Sequence, residues 1–65
     1  MPIELPSFSR VTSIADANIQ HRRGVNIIRQ AVRDGRISAS DARTYRQILD
    51  MTLEMVIRNI RARSR

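Results

Sequence analysis

The sequence contains no cysteine. This absence excludes disulfide bonds and cysteine-ligated metal sites, and it is compatible with the reducing cytoplasm. The single histidine, His21, has no acidic residue three or four positions away, so it lacks the spacing of a metal site. We expect neither a metal ion nor any other cofactor.

Lysine and tryptophan are also absent: all 12 basic residues are arginine, and there is one Phe and one Tyr. Without aromatic platforms, binding of single-stranded nucleic acid by base stacking is disfavoured. The net charge of +6 favours phosphates or acidic protein surfaces as partners. The exclusive use of arginine has two explanations. A GC-rich genome is favoured over selection for bidentate contacts.

Long apolar runs and catalytic motifs are missing as well. No stretch approaches 18 apolar residues, and the N-terminus lacks the basic-then-apolar pattern of a signal peptide. We therefore expect a cytoplasmic protein without a membrane span. With no nucleophile elbow and no phosphate-binding glycine loop, we expect no enzymatic activity, no catalytic residue and no small-molecule substrate.

The segment 33–42 carries the signals of one helix ending and another beginning. Gly35 suits the left-handed position after a helix C-terminus. Ser38 can cap the next helix, with Asp41 at its third position and Ile37 and Ala42 as a hydrophobic staple. A stop and a start this close together predict two antiparallel helices.

The predicted fold is therefore all-α, an antiparallel helical hairpin preceded by an extended N-terminal arm over residues 1–12. Residues 13–65 form one domain, with helix 1 over about 13–34, a turn at 35–38 and helix 2 over about 39–62. The arm contains two prolines and three spaced apolar residues, Ile3, Leu5 and Phe8. It is interpreted either as a frayed end or as an arm that binds a groove, on its own bundle or on another protein.

Helix 1 begins after Ser13, which can cap with Asp16 at the third position. Gly24, beside the apolar seam, is expected to allow close approach of helix 2 near Leu49, and His21 is expected to bond Thr52. The seam has steps of three and four residues and comprises Ile14, Ala17, His21, Val25, Ile28 and Val32.

Helix 2 is apolar over an arc too wide for the narrow seam of helix 1 to cover. Its polar stripe, which includes Asp50, Glu54 and Arg58, is expected to face solvent, with Glu54 and Arg58 forming an i,i+4 pair. We expect the second apolar face to mediate self-association, with a dimer forming a four-helix bundle favoured over a hetero-complex. The predicted interface residues are Ile48, Met51, Leu53, Met55, Ile57 and Ile60.

Two groups of basic and amide residues are candidates for contact with phosphates or with an acidic partner. A simpler interpretation is a solvated face that keeps the protein soluble. The first group follows helix 1 into the turn: Arg22, Asn26, Arg29, Arg33 and Arg36. The second lies near the C-terminus, where Arg63 and Arg65 are expected to be a flexible basic tail: Arg58, Arg61, Arg63 and Arg65.

These features favour a small non-catalytic protein–protein interaction module, such as a regulator, inhibitor, adaptor or assembly subunit. It would act through the apolar face of helix 2 and the arginine stripe of helix 1. The alternative is a dimeric regulator that binds the backbone of DNA or RNA by shape, because few side chains on the stripe can read bases.

Overall fold

The protein folds as a helical hairpin in the computed structural model, which describes residues 3–63. Helix α1 spans Ile14–Arg33 and helix α2 spans Ala39–Arg63, and the two pack against each other. Within residues 3–63 there is no strand, and neither helix has both the length and the apolar character needed to cross a bilayer. The predicted all-α hairpin is therefore confirmed. The first two residues of the predicted arm and the last two of the predicted domain lie outside the described residues.

Both helices begin at the predicted serine caps. Ser13 has an extended backbone, with φ −132° and ψ 156°, and its hydroxyl accepts a hydrogen bond from the Asp16 amide at 3.1 Å. The Ser38 hydroxyl accepts one from the Asp41 amide at 3.0 Å. Each bond satisfies an amide that has no partner within its helix, and each acidic residue lies where the helix dipole favours negative charge.

The turn between the helices is a Schellman motif built on Gly35. Gly35 has φ 72°, a conformation that a side chain would strain. Its amide donates to the Val32 carbonyl at 3.1 Å, and the Arg36 amide donates to the Ala31 carbonyl at 2.9 Å. Ile37 follows, and its side chain is buried in the core cluster, against which Ala42 also packs. The direction of α2 is thus determined within a few residues of the end of α1.

Gly24 of α1 packs directly against Leu49 of α2. A Cβ atom built on Gly24 would lie 2.8 Å from both Leu49 Cδ atoms, and Leu49 is only 2% exposed. The predicted register of the hairpin is therefore confirmed. The seam prediction was wrong at Val32, which is 39% exposed, whereas Ala31 is fully buried. The helices meet along Gly24 and Ala31, since these small residues allow close approach.

The N-terminal segment contributes to the core of the hairpin. Ile3 is 5% exposed and belongs to the same cluster as Ile28 and Leu49, while Leu5 and Phe8 pack against that cluster. Residues 3–8 are neither helix nor strand. The three side chains therefore agree with an arm that packs on its own hairpin, and they do not agree with a frayed end.

Candidate functional site

The apolar face of α2, defined by Ile48, Met51 and Met55, is exposed to solvent. These side chains are 51%, 60% and 60% exposed, and their spacing of three and four residues places them on one side of the helix. The hairpin covers only part of α2, because Leu49 is its one buried residue in the described range. The other three predicted interface residues are half-buried: Leu53, Ile57 and Ile60.

An open groove of about 520 Å³ lies between α1 and α2. Val25, Ile28 and Ala42 provide its apolar part, and Met51 lines it as well as belonging to the apolar face of α2. The groove and the face are thus continuous. The remaining lining residues are polar or charged: Arg29, Arg43, Arg46, Gln47, Asp50 and Glu54.

A polar network links the two helices beside the groove. The His21 Nε2 atom lies 2.6 Å from Asp50 Oδ1, and the Arg46 Nε–H donates to the same oxygen at 3.0 Å. The prediction that His21 bonds Thr52 was wrong: the Thr52 hydroxyl donates to the Ile48 carbonyl of its own helix at 2.8 Å. His21 contacts Asp50 instead, because the packing of the two helices brings this carboxylate to the His21 ring.

Asp50 lies on the polar side of α2 that was expected to face solvent, and it also bonds His21 and Arg46. The hydrogen bond from His21 is the main cause that lowers the pKa of Asp50 below its ordinary value, and the hydrogen bond and charge of Arg46 lower it further. Partial desolvation acts in the opposite direction. Asp50 is therefore held as a carboxylate, with half of its side-chain surface still exposed.

The arginine face of α1 is exposed along its length. Arg22, Asn26, Arg29 and Arg33 all reach solvent, and a shallow pocket of about 280 Å³ is lined by the last three together with Gln30. Arg22 does not line this pocket. Arg36 does not line it either, and its guanidinium lies 3.6 Å from the Asp34 carboxylate in the turn.

The C-terminal arginines lie at the end of the hairpin away from the turn. Arg58 and Arg61 line a further surface depression with Glu54, Ile57 and Ala62. The expectation of a flexible tail was wrong for Arg63, which is the last residue of α2, and Arg65 lies outside the described residues. The predicted pair of Glu54 with Arg58 is not formed, and neither has an ion pair within residues 3–63.

Comparisons with known proteins do not assign the chain to a family. No protein-family model, no curated protein and no solved structure matches the chain. Among residues 3–63, no group of three His, Asp or Glu side chains is placed to hold a metal ion.

Sequence reasoning missed Arg43 and Arg46 as parts of a surface. Both line the groove, and Arg46 also bonds Asp50. A signal was present, because residues 43, 46 and 50 follow one another at steps of three and four on the same side of α2.

Proposed function

We propose that this protein is a small non-catalytic interaction module that binds other proteins through the apolar face of α2 and the arginine face of α1. The observation that carries the proposal is the exposure of Ile48, Met51 and Met55 on one side of a helix. Three large apolar side chains exposed together on so small a molecule are typical of an interface. Flexible methionines suit such a surface because they adapt to the shape of the partner.

The two surfaces have different roles in this proposal. The apolar face of α2 packs on another helical surface, and pairing of two hairpins into a four-helix bundle is the expected form. The arginine face of α1 then remains on the outside of the assembly. There it attracts an acidic partner and accelerates its association, and this effect weakens with added salt.

The test of the apolar face is the mass in solution of the Met51→Glu/Met55→Glu variant. We expect wild-type protein at about 100 µM to have at least twice the 7.5 kDa mass of the chain, and the variant to have the mass of one chain. A buried interface does not tolerate two unpaired carboxylates. Ala15→Glu is the control, because it adds a carboxylate at an exposed position of α1. Equal masses for wild type and the double variant would contradict the proposal.

A second candidate function is binding of a nucleic-acid backbone. It is favoured by the exposure of Arg22, Arg29 and Arg33 on one side of α1, and none of the three forms an ion pair within residues 3–63. These arginines cover about 16 Å along the helix axis. Such a row can follow successive phosphates without reading bases.

Fluorescence anisotropy with labelled duplex DNA and hairpin RNA tests this candidate. If the three arginines each neutralise one phosphate, the affinity should fall roughly 40-fold between about 50 and 200 mM salt. Changing all three arginines to glutamine should abolish this binding and leave assembly unchanged. Arg10→Gln/Arg23→Gln is the control, since neither residue lies in the row. Absence of binding at the lower salt would exclude the candidate.

A further inference from the structure

Arg43 and Glu54 are two exposed, oppositely charged residues on the same side of α2. Both line the groove, and neither forms an ion pair within residues 3–63. They are three helical turns apart, or about 16 Å, so they cannot pair with each other within one chain. Between them lies Met51, which belongs to both the groove and the apolar face of α2.

We propose that the apolar face of α2 is covered by the α2 of a second copy of this chain, antiparallel and related by a two-fold axis level with Leu49. Arg43 of each copy then faces Glu54 of the other, on both sides of the axis. Two-fold symmetry requires this reciprocity: if Arg43 meets Glu54, then Glu54 meets Arg43. The inference rests on the proposed function, and it specifies the partner and the register at the same surface.

The charged and the apolar residues indicate the same position of the axis. The midpoint between Arg43 and Glu54 lies next to Leu49 in the sequence, and so does the midpoint between Ile48 and Met51. In this register Ile48 of one copy packs against Met51 of the other, and Met55 packs beside Thr44. The ion pairs flank these contacts on the groove side, where Arg43 and Glu54 both lie.

The distribution of charge along α2 favours the antiparallel orientation. Its C-terminal turns contain Arg58, Arg61 and Arg63, which are all exposed, and no acidic residue follows Glu54 in the chain. A parallel pair would place the arginine-rich ends of both copies at the same end of the dimer, where like charges repel. With the axis level with Leu49, the antiparallel pair separates the two groups along the helices, by about 27 Å between the two Arg58 residues and about 42 Å between the two Arg63 residues.

Reversing the two charges separately and then mixing the variants tests the proposed register. In Arg43→Glu homodimers the two facing residues are both glutamate, and in Glu54→Arg homodimers they are both arginine. We expect each variant alone to dimerise about tenfold more weakly than wild type, because two attractive pairs become repulsive. An equimolar mixture restores both attractive pairs in the heterodimer, so its dissociation constant should return to within about threefold of wild type.

Sedimentation velocity across a concentration series measures these constants, with Arg23→Glu and Glu4→Arg as charge-matched controls away from α2. Controls that dimerise like wild type, together with rescue in the mixture, support the register. A mixture no tighter than the single variants overturns it. If such a mixture is found while Met51→Glu/Met55→Glu still dissociates the wild-type assembly, the proposed function stands and only the register fails. A wild type that stays monomeric overturns both self-association and the register.

Single cysteines distinguish the two orientations, and the cysteine-free sequence makes each introduced thiol unique. In the proposed dimer, Ile48→Cys lies next to the axis, so two copies of this thiol are close enough for a disulfide. The two copies of Met55→Cys are offset by about 18 Å along the helices, so they cannot be joined. Oxidation should therefore cross-link the first variant and not the second. A parallel pair would cross-link both, which would contradict the proposal.

Discussion

Gly24 determines how closely the two helices approach. Its missing side chain leaves room for Leu49, the largest fully buried side chain of the described residues. Glycine within a helix costs about 1 kcal/mol relative to alanine, so its use here is a local cost offset by close packing. The contact also fixes the register of the hairpin, since a slip along either helix would place a side chain against Leu49.

We expect Gly24→Ala to lower the free energy of unfolding by about 1 kcal/mol. The new methyl group would lie 2.8 Å from both Leu49 Cδ atoms, and Leu49 is too buried to move away freely. Overpacking of this kind costs about 1–3 kcal/mol, which exceeds the gain in helix propensity. Urea unfolding measures the change. Introducing Gly24→Ala into a Leu49→Val background should cost less, and a stabilised single variant would refute the steric argument.

The ionised carboxylate of Asp50 links α2 to α1. It accepts a hydrogen bond from Arg46 on its own helix and contacts His21 on the other. Both groups favour the ionised carboxylate, which is why the pKa of Asp50 is lowered. Its contribution to stability is therefore present above the pKa that aspartate has in the unfolded chain, and it is lost as the pH falls through the lower, folded-state pKa.

We expect Asp50→Asn to make the stability of the hairpin less sensitive to acid. Between about pH 5 and pH 3 the wild type should lose more of its free energy of unfolding than the variant, because only the wild type must protonate the carboxylate. Urea unfolding at the two pH values measures the difference. Glu4→Gln, at an exposed position without an ion pair within residues 3–63, is a control for the general effect of removing a carboxylate. A variant with the wild-type pH dependence would contradict this role of Asp50.

At the scale of the elements, short polar signals determine where each helix begins and ends. We expect Ser38→Ala to cost about 1 kcal/mol, because it removes the hydroxyl that accepts from the Asp41 amide. Ser40→Ala, two positions further along, should be close to neutral since no cap depends on its side chain. Thermal unfolding of the two variants measures the contrast, and equal midpoints would argue against a capping role for Ser38.

Also at the scale of the elements, some features of the hairpin can be predicted from the sequence and others cannot. Four predicted features depend on residues close in sequence or on a simple register between the helices. They are the caps at Ser13 and Ser38, the turn at Gly35 and the contact of Gly24 with Leu49. The partner of His21 was not predicted, because Thr52 and Asp50 lie at similar heights on α2 and differ only in their side of the helix. That side is decided by the rotation of the packed helices, which a periodic pattern leaves open by tens of degrees.

At the scale of the whole molecule, the buried core is small. Six apolar residues are buried in the described range, two of them alanine. A 65-residue chain with such a core and no disulfide is only marginally stable alone. Burial of the apolar face of α2 in an assembly would therefore add a substantial part of the stability of the folded state.

We consequently expect the melting temperature of the wild type to rise with protein concentration. Folding linked to association is favoured by mass action, whereas the unfolding of a monomer is independent of concentration. Circular dichroism melts at about 5 and 200 µM measure the shift. The Met51→Glu/Met55→Glu variant should melt at one temperature at both concentrations. A wild type with the same concentration independence would indicate a hairpin that is stable by itself.

The burial of Ile3 also has a consequence for how the chain folds during its synthesis. Ile3 shares a core cluster with Ile37 and Leu49, which are translated long after it. Ile3 can therefore reach its full set of native contacts only after α2 has been made, because Ile37 and Leu49 complete its site. Until then α1 offers only part of that site, through Ile28 and Ala31, and the segment around Ile3 stays more accessible to chaperones and proteases than in the folded hairpin.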